Sequence, residues 1–319
     1  MSASRFRSFR APVIAPLGGK HMVVPLLRRA LPALVLTALI LGASDPARAQ
    51  GAVGLLARRY HEGDSLHYHM VATNRDRQRL LQYSADVDGV VQRDSLGRYV
   101  EVLEWSHLVR DNSVVHLSAS GPAVRQRLTL EPGYMIVPDI PATDPALIGP
   151  VADLLGFYVD ARLAAKLPLA RVGDHVRVPG HQVGSWADGR TLLVAEDAVD
   201  FDVTLSAVDS VAGVARLIVR HSPSDSLRVQ LKADWMRVPA YGTSNNWVQV
   251  SHEPSGAYRA AVGRETFDVE LTVDLGDGRI RSATMVNPVD VLERMCSDEA
   301  LTSCGEPRRY RILRRVAIH

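Results

Sequence analysis

The chain has 319 residues, with 37 Lys+Arg against 35 Asp+Glu and a formal net charge of +2. That near balance excludes a strongly basic nucleic-acid binder and an acidic disordered tail. Hydrophobic residues at 46% and charged residues at 23% are globular and fill a sizeable core, while 6% aromatic is thin for an outer-membrane barrel with aromatic girdles.

Residues 1–49 read as a secretory signal peptide. Arg28 and Arg29 precede an apolar run over 31–43, and the small-residue site Ala47-Arg48-Ala49 follows. Met22 is an equally good start and gives a leader of ordinary size. Cleavage after Ala49 leaves 50–319 as one β-rich domain. The leader takes seven basic residues and one acid with it, so 30 basic face 34 acidic residues and the balance becomes −4. No second long apolar run follows, so no transmembrane segment is expected in the mature chain. The expected location is the periplasm or the medium. Cys296 and Cys304, close in sequence and in an oxidising compartment, are expected to form a disulfide.

Period-two alternation marks strands along the mature chain. Leu66, Tyr68, Met70 and Ala72 share one face. Leu81, Tyr83, Ala85 and Val87 share another, and Asp88-Gly89 then reads as a two-residue hairpin turn. Tyr99, Glu101, Leu103 and Trp105 continue after a loop around 94–97. A phrase repeats: Phe201-Asp202-Val203-Thr204-Leu205 and Phe267-Asp268-Val269-Glu270-Leu271, each followed by a Gly-containing turn and an apolar return strand. Leu227, Val229 and Leu231 alternate in the same way. Residues 309–319 read as a closing strand with Tyr310, Ile312, Val316 and Ile318 on one face.

One segment has helical spacing instead. Leu147, Val151, Leu154, Leu155, Tyr158, Val159 and Leu163 follow Asp144-Pro145, which suits a helix start, and Pro168 ends it. The main helix is expected over 151–166, with a broad apolar stripe buried against a sheet. A second short helix is expected over 288–295, where Val289, Leu292 and Met295 align. The fold class is therefore mainly β (α+β), a large curved antiparallel sheet or half-barrel with one or two helices packed on it. This arrangement resembles the half-barrel of periplasmic lipid and lipoprotein carriers of the LolA, LolB and LppX type. The phrases Glu62-Gly63-Asp64-Ser65-Leu66 and Val172-Gly173-Asp174-His175-Val176 also look like those of uncharacterised secreted β-rich families. The resemblance is one of architecture and carries no specific ligand motif.

Candidate chemistry is sparse. His67 and His69 lie two apart on a strand, so both imidazoles share a face that could hold a metal or could be a polar outer surface. His181, Ser185 and Asp188 are hydrolase residue types, but no Gly-x-Ser-x-Gly elbow surrounds Ser185. Asp197, Asp200 and Asp202 lack calcium-loop spacing. Arg308, Arg309, Arg311, Arg314 and Arg315 crowd the last strand, with Arg309, Arg311 and Arg315 on one face. Asn245-Asn246-Trp247 could rim a pocket or form a turn before a buried Trp. No phosphate-binding loop or dinucleotide fingerprint is present, and no cofactor is implied.

The leading expectation is an exported, non-enzymatic binding or carrier protein for a lipid or other apolar or amphipathic ligand, held between sheet and helix by Leu154, Leu155, Tyr158 and Val159. The alternatives are an envelope scaffold or interaction module without a pocket, and a metal-dependent or serine hydrolase. Nucleic acid is not an expected partner.

Overall fold

The computed structural model describes residues 54–319 apart from 77–78, 118–120, 130–135, 139–141, 188–190, 224–230 and 243–244, and leaves the side chains of 180–199 and of Pro122, Pro223 and Trp247 undescribed. The leader lies outside these residues, as do Leu227, Val229 and Asp188.

The described chain folds into a thirteen-stranded antiparallel sheet and one α-helix. The strands are β1 (Ser65–Arg75), β2 (Leu80–Arg93), β3 (Tyr99–Arg110), β4 (Ser113–Val114), β5 (Arg125–Leu128), β6 (His175–Ala187), β7 (Thr191–Asp209), β8 (Val214–Pro223), β9 (Trp247–His252), β10 (Tyr258–Glu265), β11 (Phe267–Asp274), β12 (Ile280–Cys296) and β13 (Arg308–Ile318). The helix α1 (Ile148–Ala165) falls between β5 and β6. Pro150 stands in its first turn, where the missing N–H would have had no partner in any case.

The strands follow sequence alternation because one face is apolar throughout. Leu66, Tyr68, Met70 and Ala72 on β1, Ala85 and Val87 on β2, and Val316 and Ile318 on β13 are all buried in one core with α1. Two long strands each face two shorter ones. β7 pairs with β9 near its start and with β8 beyond, and β12 pairs with β11 and then β10. β10 and β11 keep one register along β12, with Glu265 opposite Val289 and Asp268 opposite Val286. They are one strand interrupted at Thr266, and Pro288, which has no N–H to give, stands beside that interruption.

The sheet curls around the helix. Over Asp153–Asp160, about 10 Å of helix axis, α1 touches β13 and β2 through Asp153, β3 and β5 beside Leu154 and Leu155, β1 through Tyr158, and β8 through Asp160. From β8 to β5 the sheet order is β8-β11-β12-β13-β1-β2-β3-β5, which laid flat would span about 34 Å. One helix about 10 Å wide reaches across it only if the sheet wraps. Register breaks at Ser84/Asp86, Leu205/Ala207 and Thr272/Val273 supply bends, since a bulge increases local twist. Within α1 only Gly156 is exposed. The trough thus encloses the helix on nearly every side, which explains why its apolar residues spread beyond a single stripe.

A second core lies on the opposite face at the far end of β12. Met236 and Ala240, beside the short turn Asp234–Arg237, cover Val248, Ala260, Val262, Leu292 and Cys296 together with Leu301. The disulfide Cys296–Cys304 closes this end.

Three expectations need correction. Residues 288–295 are strand, not helix: Val289, Val291 and Glu293 alternate on the buried face and pair with both β10 and β13, so two ladders outweigh a three-residue helical coincidence. Asp88-Gly89 is not a turn. β2 runs straight through it, and Gly89 leaves room for its neighbours: a Cβ there would sit 2.6 Å from Leu103 Cδ2 and 3.2 Å from the Leu66 side chain, so one of them would have to shift. The helix starts at Ile148 rather than 151, and Asp144 forms a turn ahead of it, accepting from the Ala146 N–H, instead of capping it.

The repeated phrase acquires a reason. Phe201 and Phe267 are both register partners of His221, Asp202 and Asp268 of Arg220, Val203 and Val269 of Val219, and Leu205 and Leu271 of Leu217. The two copies flank β8 in matched register, so the same residue types meet one strand from both edges.

Candidate functional site

On strands whose inward positions are mostly apolar, one row is polar. β12 turns Ala283, Met285, Asn287, Val289 and Val291 inward. β13 turns Tyr310, Arg314, Val316 and Ile318 inward, all buried but Arg314, which is half-buried. Arg314 is the register partner of Asn287 on one side and of Asn74, on β1, on the other. Next to this row, Tyr83 on β2 is the register partner of Ala72, Glu265 on β10 is the partner of Val289 and is bonded by Asn287, and His221 on β8 lies beyond Phe267. Together they form a polar belt across the trough between two apolar zones, one centred on α1 and one on Ala261, Val289, Val291 and Tyr310.

Two carboxylates of α1 close onto this belt. Asp153 binds the Arg314 guanidinium through Oδ1 and accepts the Tyr83 hydroxyl at 2.6 Å through Oδ2. The side chains of Arg314 and Asp153 are 12% and 4% exposed. Burial pulls the Arg314 pKa below its ordinary value, and Tyr83 opposes this. Seven residues on, Asp160 meets His221 Nε2 at 2.8 Å. The imidazole lies between Phe201, which it meets edge-on, and Phe267, which is tilted to it, with ring centroids 4.6 and 5.3 Å away. This spacing puts both acids on one side of the helix.

Glu265 is fully buried beside them. Burial raises its pKa to about 7, against the opposing effects of a hydrogen bond from Asn287 and of His221 nearby. Asn287 Nδ2 donates to Glu265 Oε2 at 3.4 Å and to the Thr266 carbonyl at 2.8 Å. Asn246 stands in for a missing strand neighbour, accepting from the Glu265 N–H at 2.9 Å and donating to its carbonyl at 3.1 Å. Asn245 does the same for the turn at Met236 and Val238. The Asn245-Asn246 pair is therefore buried and bonded to backbone. Asn74 Oδ1 is buried without a hydrogen-bond partner.

A second polar locus lies farther along the trough. Arg58, on the segment ahead of β1, binds Glu101 at 3.1 Å, and beside them the Tyr158 hydroxyl lies 3.4 Å from the Tyr68 hydroxyl. Burial pushes the Glu101 pKa up against the pull of Arg58. Arg58 is delivered there because the chain at Ala57 passes close over Gly278, whose φ of +75° and lack of a Cβ permit the approach.

The expected ligand residues are all on α1, but they face protein. Leu154 and Leu155 border a cavity of about 10 Å³ with Leu103, Trp105, Gln126 and Leu128, room for about one water. Trp105 Nε1 and Gln126 Nε2 are buried there without partners. Tyr158 is bonded as above and Val159 is half-buried. His67 and His69 share the outer face of β1, as the alternation requires. Each pairs with an aspartate of β2, His67 with Asp88 at 2.8 Å and His69 with Asp86 at 2.6 Å, while His107 reaches Asp86 at 3.0 Å. Among the described residues no group of three or more His, Cys, Asp or Glu is placed to hold a metal ion. His181 and Ser185 lie on β6 with undescribed side chains. Asp200 and Asp202 bind Arg177 and His175 across strands. The terminal arginines divide: Arg311 binds Asp290 at 2.5 Å on the outside, Arg309 donates to the Ala240 carbonyl, and Arg314 alone of these turns into the trough.

Sequence reading missed the belt. Its signal was present as polar residues at inward parity: Asn74 two after Ala72, His221 two after Val219, Asn287 between Met285 and Val289, Arg314 between Ile312 and Val316. Comparison with known proteins returns nothing: no family model, no curated protein and no solved structure matches this chain.

Proposed function

We propose that the protein is an exported, non-enzymatic binding protein for an amphipathic ligand, taken up in the trough that α1 fills in the resting form. One observation carries this reading. The helix is enclosed by the curled sheet on nearly its whole circumference, yet its interface contains a polar belt that apolar packing alone does not call for. Buried ion pairs are poor sources of stability compared with apolar replacements, so the Arg314–Asp153 pair, with the His221–Asp160 hydrogen bond beside it under the same helix, favours a role for the polar groups themselves. The signal-like leader and the Cys296–Cys304 disulfide support export, and no helix among the described residues is long and apolar enough to cross a membrane.

The interaction-module reading rests on a different observation: Leu154, Leu155, Phe157 and Tyr158 are buried against the sheet, and the cavity beside Leu154 and Leu155 holds only about 10 Å³. Titration with a fluorescent single-chain fatty acid, together with native mass spectrometry of protein taken from its own envelope, separates the two. Saturable 1:1 binding and a co-purified amphiphile are expected. The absence of both would overturn the carrier reading in favour of a module.

A further inference from the structure

We propose that the ligand's head group is a monoanionic carboxylate and that it binds at Arg314, displacing Asp153. The inference rests on the trough being the binding site, and it names the chemistry of that site.

Asp153 is an internal stand-in for such a ligand. Its two carboxylate oxygens are shared between two donors from different strands, Oδ1 with the Arg314 guanidinium and Oδ2 with the Tyr83 hydroxyl. Apolar side chains follow directly, with Leu154, Leu155 and Phe157 buried in the same trough. A carboxylate with an apolar body behind it is what α1 presents to the sheet. Arg314 cannot lose its proton to escape burial, so withdrawal of the helix leaves a cation on an apolar wall that requires another anion. One arginine and one phenol match a single negative charge on two oxygens, which favours a carboxylate over a dianionic phosphate.

The neighbours of Arg314 leave the head group to Arg314 and Tyr83. Asn74 is the cross-strand neighbour of Arg314 on one side, and its buried Oδ1 is an acceptor that takes nothing from an ionised carboxylate. On the other side, Asn287 Nδ2 is engaged by Glu265 Oε2 and the Thr266 carbonyl.

The test compares dodecanoate, dodecanol and dodecyltrimethylammonium on the full-length protein, on Asp153→Asn and on the double variant Asp153→Leu with Arg314→Met. Asp153→Asn removes the competing internal anion and keeps the side-chain shape. It is expected to bind dodecanoate about tenfold tighter than the unaltered protein, because the helix is held less firmly, and to keep the preference for dodecanoate over dodecanol and the cation. The double variant replaces the ion pair by apolar groups, which keeps the fold. It is expected to bind dodecanol and to lose the preference for dodecanoate. Equal binding of all three probes by both the unaltered protein and Asp153→Asn would overturn the carboxylate assignment and leave the trough as a binding site. Binding of none of them by any form would overturn the trough reading and this assignment with it.

Discussion

His221 on β8 and Asp160 on α1 meet at 2.8 Å, with side chains only 12% and 2% exposed. This contact ties the helix to the strand that the two copies of the repeated phrase flank. Replacing Asp160 by Ala leaves an imidazole buried between two phenyl rings with that bond lost. The expected loss is about 2 kcal/mol, since a buried partner stripped of a charged hydrogen bond bears its desolvation alone. Urea unfolding midpoints measure it. An unchanged midpoint would show that helix and strand are held by apolar packing only.

Arg314 and Asp153 make the stronger version of the same prediction. Arg314→Met alone strands a buried carboxylate, and about 3–5 kcal/mol is expected to be lost. Asp153→Leu combined with Arg314→Met is expected to recover most of that, because two apolar side chains suit the surrounding core. A double-mutant cycle gives the coupling. Additive losses would mean the two side chains do not act as a pair.

Glu265 predicts a pH dependence. Its folded pKa is about 7 against an ordinary value of 4.5, so the folded chain holds a proton that the unfolded chain has released. Its contribution to stability is fully present below pH 4.5 and is lost as the pH rises through about 7, for a total on the order of 3 kcal/mol. Glu265→Gln is expected to abolish this fall. The difference between the two stability curves is the measurement, because carboxylates such as Asp86 and Asp274, whose pKa values are lowered, act at the acid end in the opposite sense. Parallel curves from pH 5 to 8 would contradict the assignment.

The disulfide closes a short loop, with a sequence separation of 8. In the chain-entropy model such closure is worth about 2–3 kcal/mol. Cys296 also packs beside Leu292 and Leu301 in the second core. Replacing both cysteines by Ala is expected to lower the thermal midpoint and to expose the amides of 297–303 to hydrogen exchange first, leaving those of β1 and β2 protected. Uniform loss of protection would show that the two cores unfold as one unit.

Local pattern by itself determined much of this protein. Alternation of apolar residues fixed most strands, since a side-chain period of two is a property of one strand alone. Helical spacing over 147–163 found α1 for the same reason, and the proximity of Cys296 to Cys304 marked the disulfide. Only the tertiary structure decided how far the sheet curls, because curvature is summed over bulges on several strands. It also decided that Asp88-Gly89 lies mid-strand, where Gly89 makes room for Leu66 and Leu103, and that 288–295 extends β12, which two neighbouring ladders enforce. Above all it decided the belt. Asn74, Arg314 and Asn287 stand far apart in the chain, and each is a single exception to its own strand's pattern. They become one site only through the register that sets them side by side, under a helix whose acids face them.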